Sequence, residues 1–446
     1  MAKKAAAAKP SPKAVVAKLL TPVQEFIRTE SSSGVLLIAA AVLAFAWANS
    51  PWAASYFALL DTPVRIGFGA WSLDKPLLLW VNDLLMAGFF FVIGLEIKRE
   101  ILVGELAGWR RASLPVAGAL GGMIVPALLY VAFNPEEPAI RGWGVPMATD
   151  IAFALGLLAL LGERVPLSLK VFLLALAIVD DLGAVLVIAV FYTAELDGTS
   201  LLISLLLWGA ALAYGRAHGE RPLVFALLGL AMWYFMLKSG IHATIAGVLM
   251  ALAVPLRHRL SAQELQQELR WVSSGRAGFE QVEMMLEHLD DVLSKAHSPL
   301  HNMEHALAPY VAFFVMPVFA FFNAGVAVGG IEGGLISAVS LGTFVGLLVG
   351  KPLGVTGFAF LAVRLGLSRL PEGTTWPGML GIGLLAGIGF TMSLFIANLA
   401  FAELALLYQA KLGVLTASVV ASLAGLAFLS RALPQRQLKV AAVARP

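Results

Sequence analysis

The chain has 446 residues, of which 59% are hydrophobic and 13% charged, with a formal net charge of +3. A soluble domain carries roughly 25% charged residues, so this deficit, with a mean hydropathy of +0.85, describes a multi-spanning membrane protein. The absence of cysteine excludes disulfides, thiolate metal sites and cysteine nucleophiles, and the basic residues lie between apolar runs rather than in a patch suited to nucleic acid.

Residues 1–32 read as a basic, low-complexity arm on the cytoplasmic side. Their opening run, MAKKAAAAKPSPKAVVAK, lacks the apolar core and cleavage site of a signal peptide. A helix needs about 20 apolar residues to cross a bilayer. Twelve stretches qualify: roughly 33–49, 76–97, 112–133, 142–161, 167–192, 199–215, 221–237, 239–256, 307–327, 335–362, 375–400 and 411–431. The first eight occupy 33–256 and the last four 307–432, with a tail at 433–446.

Between the first two spans, Val64, Ile66 and Phe68 alternate with other residues ahead of Gly69, Trp71 and Leu73. That pattern predicts a short β-hairpin near 63–73 on the outer face. The inner loop 257–306 carries Phe279, Val282, Leu286, Leu289 and Leu293 at helical spacing, which predicts an amphipathic surface helix. With the N-terminus inside, 25 of the 31 lysines and arginines fall on the inner side, five outside, and Lys351 within a span. Twelve spans with both termini cytoplasmic is the arrangement that this bias supports.

Four charges lie near span centres: Asp150, the adjacent pair Asp180 and Asp181, and Lys351. An ionised side chain there costs roughly 2.5–3.5 kcal/mol on insertion scales, so each is a functional candidate. Three carboxylates and one ammonium do not all stay charged in a dry interior. One aspartate pairs with Lys351, and another holds a proton or a cation. Carboxylate oxygens suit a hard cation such as sodium. A proton and Na+ competing for the same oxygens is the physical basis of exchange. The competing account is a buried ion pair that only ties helices together. Neighbouring aspartates point about 100° apart on a helix. The expectation is Asp181 on the ion path and Asp180 on the lysine, although spacing does not choose between them.

Two spans read as interrupted. The first is GWGVPMATDIAFALG, where Pro146 removes a donor and Thr149 and Asp150 offer competing polar groups. The second contains GMLGIGLLAGIGFTMS, with Gly387 and Gly389 at its centre. Each lies in the middle of a three-span group, 112–192 and 335–431, and the odd offset between groups predicts inverted repeats with crossed, broken helices. For Gly387 and Gly389, close packing is the alternative account.

These residues resemble the NhaA-type sodium/proton antiporters. The resemblance rests on ATDIAFALG (148–156), DDLGAV (180–185), KSGIHATIAG (238–247), GKPLG (350–354), GIGFTMSLFIA (387–397), VNDLLMAGFFFVIGLEIKRE (81–100) and FAFFNAGV (319–326), in order over about residues 20–432. It implies exchange of cytoplasmic Na+ or Li+ for external protons by alternating access in the bacterial inner membrane, electrogenic and pH-regulated, with no cofactor beyond the transported ions. Carried to this chain, it implies that Asp181 and Asp180 hold the ion, with an oxygen from Thr149. It pairs Lys351 with Asp180, and has Asp150 compensate the helix dipoles at the breaks. It also implies a pH-sensing cluster of Glu96, Arg99, Glu100, Glu304 and His305, a pH-linked His242, and a homodimer through the outer hairpin. Ala308 stands where the family has a second histidine, so the resemblance does not carry the family's pH profile to this chain.

Other classes leave residues unexplained. HNMEH (301–305) fits an H-x-x-E-H zinc peptidase pattern, but sits at a loop-to-membrane junction. An intramembrane aspartyl protease would need a G-x-G-D stretch. A sodium-coupled solute symporter is the serious alternative, and it leaves the buried lysine without a role.

Overall fold

The computed structural model describes residues 33–67, 72–193, 196–217, 219–257, 298–330 and 336–433. The predicted terminal arm, the tip of the hairpin and the amphipathic helix of the inner loop fall outside these residues. Among them, seven helices are long and apolar enough to cross a bilayer, or ten spans if each of three bent pairs is taken as one.

In chain order, α1 (Ser33–Ala48) turns by 117° into α2 (Ala53–Leu60), a short helix the hydropathy pattern did not single out. The strands β1 (Pro63–Ile66) and β2 (Leu73–Pro76) pair antiparallel, with Pro63 opposite Pro76 and Arg65 opposite Asp74. From β2 the chain enters α3 (Leu77–Leu102), then α4 (Trp109–Phe133). A 3₁₀ stretch, Ala139–Met147, is bent by 41° from α5 (Ile151–Leu160). The helices α6 (Leu167–Phe191), α7 (Gly198–Arg216), α8 (Pro222–Lys238) and α9 (Ile245–Ala253) follow. After the inner loop come α10 (Pro299–Asn323) and α11 (Ala338–Arg364). The second broken span, α12 (Trp376–Ala386) and α13 (Phe390–Ala400), is bent by 47°, and α14 (Leu404–Ala432) ends the described fold.

Three predicted spans differ from the structure. The stretch 239–256 holds only the nine residues of α9, about 13.5 Å of helix against a hydrocarbon core of about 30 Å. Its start is irregular because Ser239 donates its hydroxyl to the Met236 carbonyl at 2.7 Å and Gly240 adopts φ of +83°. The span predicted from 307 begins at Pro299, inside the stretch assigned to the loop. Ser298 caps it by accepting the His301 amide, and Pro299 needs no donor at the first turn. The polar run HNMEH is thus the first turns of α10 rather than loop. The last span starts at Leu404 instead of 411, which takes Lys411 out of the outer loop and buries it at 4% exposure within α14.

The two three-span groups share one pattern, long helix, broken helix, long helix: α4 to α6 and α11 to α14. Gly121 and Gly354 allow α4 and α11 to touch backbone to backbone. A Cβ on either would stand 2.1 Å from the other's carbonyl oxygen, which is small-residue packing of the membrane kind. In α10 and α11, single widened turns at Val311–Val315 and Gly346–Gly350 lie just before Pro317 and Pro352. Proline lacks a donor and clashes with the carbonyl four residues back, so the helix accommodates an extra residue there.

A second apolar cluster unites α7, α8, α9 and one face of α3 through Leu95, Ala211, Phe225, Trp233 and Met250. Asp197 caps α7 by accepting the amides of Thr199 and Ser200. Hydrogen bonds from Ser200 and Thr199 hold its carboxyl below the usual range. Large apolar side chains such as Leu128, Val190, Leu206, Leu227, Leu353 and Leu423 are exposed, the surface expected where lipid replaces water.

Candidate functional site

Both broken spans open at three residues: Ala148–Thr149–Asp150 and Gly387–Ile388–Gly389. The two breaks cross, and the Asp150 amide donates to the Ile388 carbonyl at 2.7 Å. Gly387 and Gly389 have ordinary negative φ, −69° and −83°, so neither is required for backbone freedom. Gly387 is required for closeness, since a Cβ would stand 2.5 Å from the Leu347 carbonyl oxygen.

Four half-helix ends meet at this crossing, each with unpaired backbone groups and a partial charge of about half a unit. Asp150 serves both positive ends. Its carboxylate accepts the Phe153 amide of α5 at 3.0 Å and the Thr391 amide of α13 at 3.1 Å, and also the Thr391 hydroxyl. The negative ends are met by donors. Lys351 donates to the carbonyl of Met147, the end of the 3₁₀ half. The Thr149 hydroxyl lies 2.9 Å from the carbonyl of Ala386, the end of α12.

Lys351, entirely buried, also donates to Asp180 Oδ2 at 2.6 Å. The Thr149 hydroxyl lies 2.7 Å from the same oxygen, and its single proton serves Asp180 or Ala386 at one time. Asp180 is therefore the lysine's partner. Asp181 turns elsewhere on α6. It is 0% exposed, yet neither carboxylate oxygen has a hydrogen-bond partner among the described residues, nor does Asp180 Oδ1. Buried polar atoms are rarely left without partners, so three oxygens lie ready for a ligand at the crossing. No group of three or more acidic, histidine or cysteine side chains gathers as a metal centre among the described residues. Oxygens for a cation at the crossing would instead come from the carboxylate pair and Thr149.

The predicted pH cluster divides. Arg99 grips Glu304 through both carboxylate oxygens, at 3.1 and 3.0 Å, and Glu100 at 2.6 Å. Glu100 also accepts the Glu105 amide at 2.8 Å. His305 is exposed at the edge of this group, within electrostatic reach of Glu304. Glu96, only 6% exposed, interacts electrostatically with both Arg99 and Asp181, so it stands between cluster and crossing. Glu304 is engaged by Arg99 through both carboxylate oxygens, rather than free as the general base of a zinc peptidase would be. His242 lies apart from this cluster. Its ring packs edge-on against Phe395 with centroids 5.5 Å apart, its Nδ1 lies 2.8 Å from the Thr244 hydroxyl, and it lies within electrostatic reach of the Lys75–Asp83 ion pair. That pair sits where α3 leaves the hairpin.

Sequence reasoning missed Thr391, which gives Asp150 two of its hydrogen bonds. The available signal was a hydroxyl residue two positions after the glycine break. The carbonyls of Met147 and Ala386 carried no signal, since any residue supplies one.

The family described as Na+/H+ antiporter 1 matches residues 24–429. The chain is 52% identical over 419 residues to a Na(+)/H(+) antiporter NhaA of Oleidesulfovibrio alaskensis, covering 92% of this chain and 93% of that one. It is 49% identical to the Na(+)/H(+) antiporter NhaA of Albidiferax ferrireducens, covering 91% and 96%. It is 46% identical to that of Citrobacter koseri, with the same coverage.

Proposed function

The chain belongs to the Na+/H+ antiporter family, and from that premise we propose how its residues carry out the exchange. The protein is a transporter embedded in the lipid bilayer that exchanges Na+ for H+. Asp181 is the exchanging carboxylate. Its two buried, unbonded oxygens are the observation that carries this reading. A buried carboxylate is tolerable only when protonated or beside a cation, so Na+ and a proton occupy it in turn, and each displaces the other.

Asp180 completes the site. Bound to Lys351 and Thr149, it keeps one oxygen toward the crossing, and the lysine holds positive charge nearby when the cation leaves. Asp150 contributes no exchanging proton. Its bonds to the two helix starts keep the broken spans crossed while ions change. Li+ is accepted as a similar hard cation. Two titratable aspartates allow more than one proton per Na+, so the exchange moves net charge. Na+ leaves the cytoplasm and protons enter by alternating access across a bacterial inner membrane, with both termini cytoplasmic, as the lysine and arginine bias supports. Glu96, Arg99, Glu100, Glu304 and His305 tune entry with pH from the inner side, and His242 from the hairpin side. No observation favours solute symport.

In proteoliposomes, an imposed Na+ gradient is expected to drive proton movement without any organic solute. Asp181→Asn is expected to abolish it, and Na+-dependent proton flux persisting in that variant sinks the assignment.

The hairpin joins two copies. Two strands alone are marginal in water, and β1 and β2 pair only with each other among the described residues, which leaves edges for a partner's hairpin. Deleting 63–76 is expected to convert dimer to monomer by native mass spectrometry while exchange remains. An unchanged dimer rejects the hairpin contact.

A further inference from the structure

Three asparagines, Asn82 and Asn323 buried and Asn398 half-buried, lie apart from the ion site and are absorbed by none of the roles above. Asn82 belongs to α3, six residues past the end of β2, Asn323 ends α10, and Asn398 lies in α13. Asn323 is 0% exposed and Asn82 6%. Asn323 Nδ2 donates to Asn82 Oδ1 at 2.8 Å and to its own helix at the Phe319 carbonyl, at 2.9 Å. Asn323 Oδ1 accepts from Asn398 at 2.8 Å and from Asn82 at 3.3 Å. Asn398 also donates to the Leu394 carbonyl at 2.7 Å.

Their position follows from the chain. Asn82 is near the hairpin, so the cluster is on that side. Asn398 follows Thr391, Asp150's partner, along one helix by seven residues, which is about 10 Å. The cluster thus lies between the crossing and the hairpin-side surface. One turn nearer the crossing, Phe395 packs on Phe90, Phe319 and His242 at centroid distances of 5.5, 6.1 and 5.5 Å. The asparagines join α13, which carries the crossing, to α3 and α10, which do not.

The choice of amides is informative. Apolar side chains would weld such a seam. An amide pair exchanges its partner for water at small net cost, because hydrogen bonds are traded rather than lost. A cluster of amides hydrogen-bonded to one another therefore closes a path firmly and still opens cheaply. We infer that Asn82, Asn323 and Asn398 form the hairpin-side gate of the ion path, closed here by their mutual hydrogen bonds and opened when water and the passing cation replace them. The gate rests on the exchange reading above and adds its location and chemistry.

The chain's lack of cysteine makes the test direct. Asn398→Cys is reconstituted in vesicles, with Asn82→Cys as the second variant, and treated from either side with a small, membrane-impermeant cationic thiol reagent. Expected is labelling from the hairpin side only, about tenfold faster during Na+-driven exchange than at rest, with labelling halting exchange. The factor corresponds to parting one buried amide pair. In parallel, Asn398→Leu is expected to slow turnover about tenfold with KM for Na+ little changed, the pattern of a step other than binding, and Asn398→Ser to restore most of it. Labelling that is equal at rest and in turnover, labelling absent from both cysteine variants while they exchange, or a serine variant as slow as the leucine one overturns the gate alone. A parent chain with no Na+-driven proton movement overturns the exchange reading and the gate with it.

Discussion

Asp180 and Asp181 are neighbours with the same side chain and opposite circumstances. Asp180 is held by an ammonium and lies beside a hydroxyl, while Asp181 is held by nothing among the described residues. Removing one partner of a buried ion pair leaves an uncompensated charge, at a cost of about 3–5 kcal/mol, whereas replacing both is often close to neutral. Lys351→Met is therefore expected to lower the unfolding temperature in detergent sharply, and Asp180→Asn combined with Lys351→Met to recover most of the loss. If the double variant melts as low as the single, the lysine's contribution lies outside this pair. The test separates the lysine's part in stability from any part in transport, since the double variant can be assayed for exchange.

At the scale of elements, the broken spans depend on how close two chains come. At Gly387 an added Cβ meets the Leu347 carbonyl, a backbone atom with little room to move. At Gly389 it meets first the Ser393 hydroxyl at 2.1 Å, with Ser393 Cβ and Leu347 Cδ2 at 2.9 Å, all of them side-chain atoms rather than backbone. Gly387→Ala is accordingly expected to reduce exchange by an order of magnitude or more, since misplacing catalytic groups by about 1 Å can cost a hundredfold. Gly389→Ala should be milder. Initial rates of Na+-driven proton flux check the order, and a reversed order would mean that the contact with Leu347 is not what sets the crossing. Asp150 acts at this scale too, as a cap shared by α5 and α13. Each half-helix thereby fixes the other.

For the whole molecule, exchange requires that one site see both ions. The proposed competition of protons and Na+ for Asp181 predicts a KM for Na+ that rises as pH falls, while the rate at saturating Na+ stays level over the same range. Flux measured across a pH series with varied Na+ checks this, and a KM independent of pH excludes a shared site. The groups proposed to modify the profile occupy the two ends of α3. Arg99, Glu100 and Glu304 gather at one end, and the Lys75–Asp83 pair with His242 at the other. Glu96 lies between the first group and the crossing, and the asparagine cluster between the second and the crossing. The route through the molecule thus passes polar groups on both sides of one carboxylate pair.

By itself the sequence determined that the chain crosses a bilayer many times, which charges lie near span centres and which spans are interrupted. Those properties are local: each follows from apolar run length, from the cost of a charge at depth, or from a proline or paired glycines inside a run. It also gave away the grouping long, broken, long, because that grouping is a pattern along one strand of text. Boundaries at Lys238–Thr244, Pro299 and Leu404 were not legible, since Ser239 and Ser298 act through hydrogen bonds that apolar run length does not record, and Lys411 looked like an outer-loop residue although α14 buries it. Only the tertiary structure decided that Asp180 meets Lys351 while Asp181 finds no hydrogen-bond partner among the described residues. Only the fold brought Thr391 to Asp150 and Asn398 to Asn323. These pairings join residues far apart in the chain, at distances set by how α4, α11 and the two broken spans pack, and no local rule of composition or spacing contains that packing.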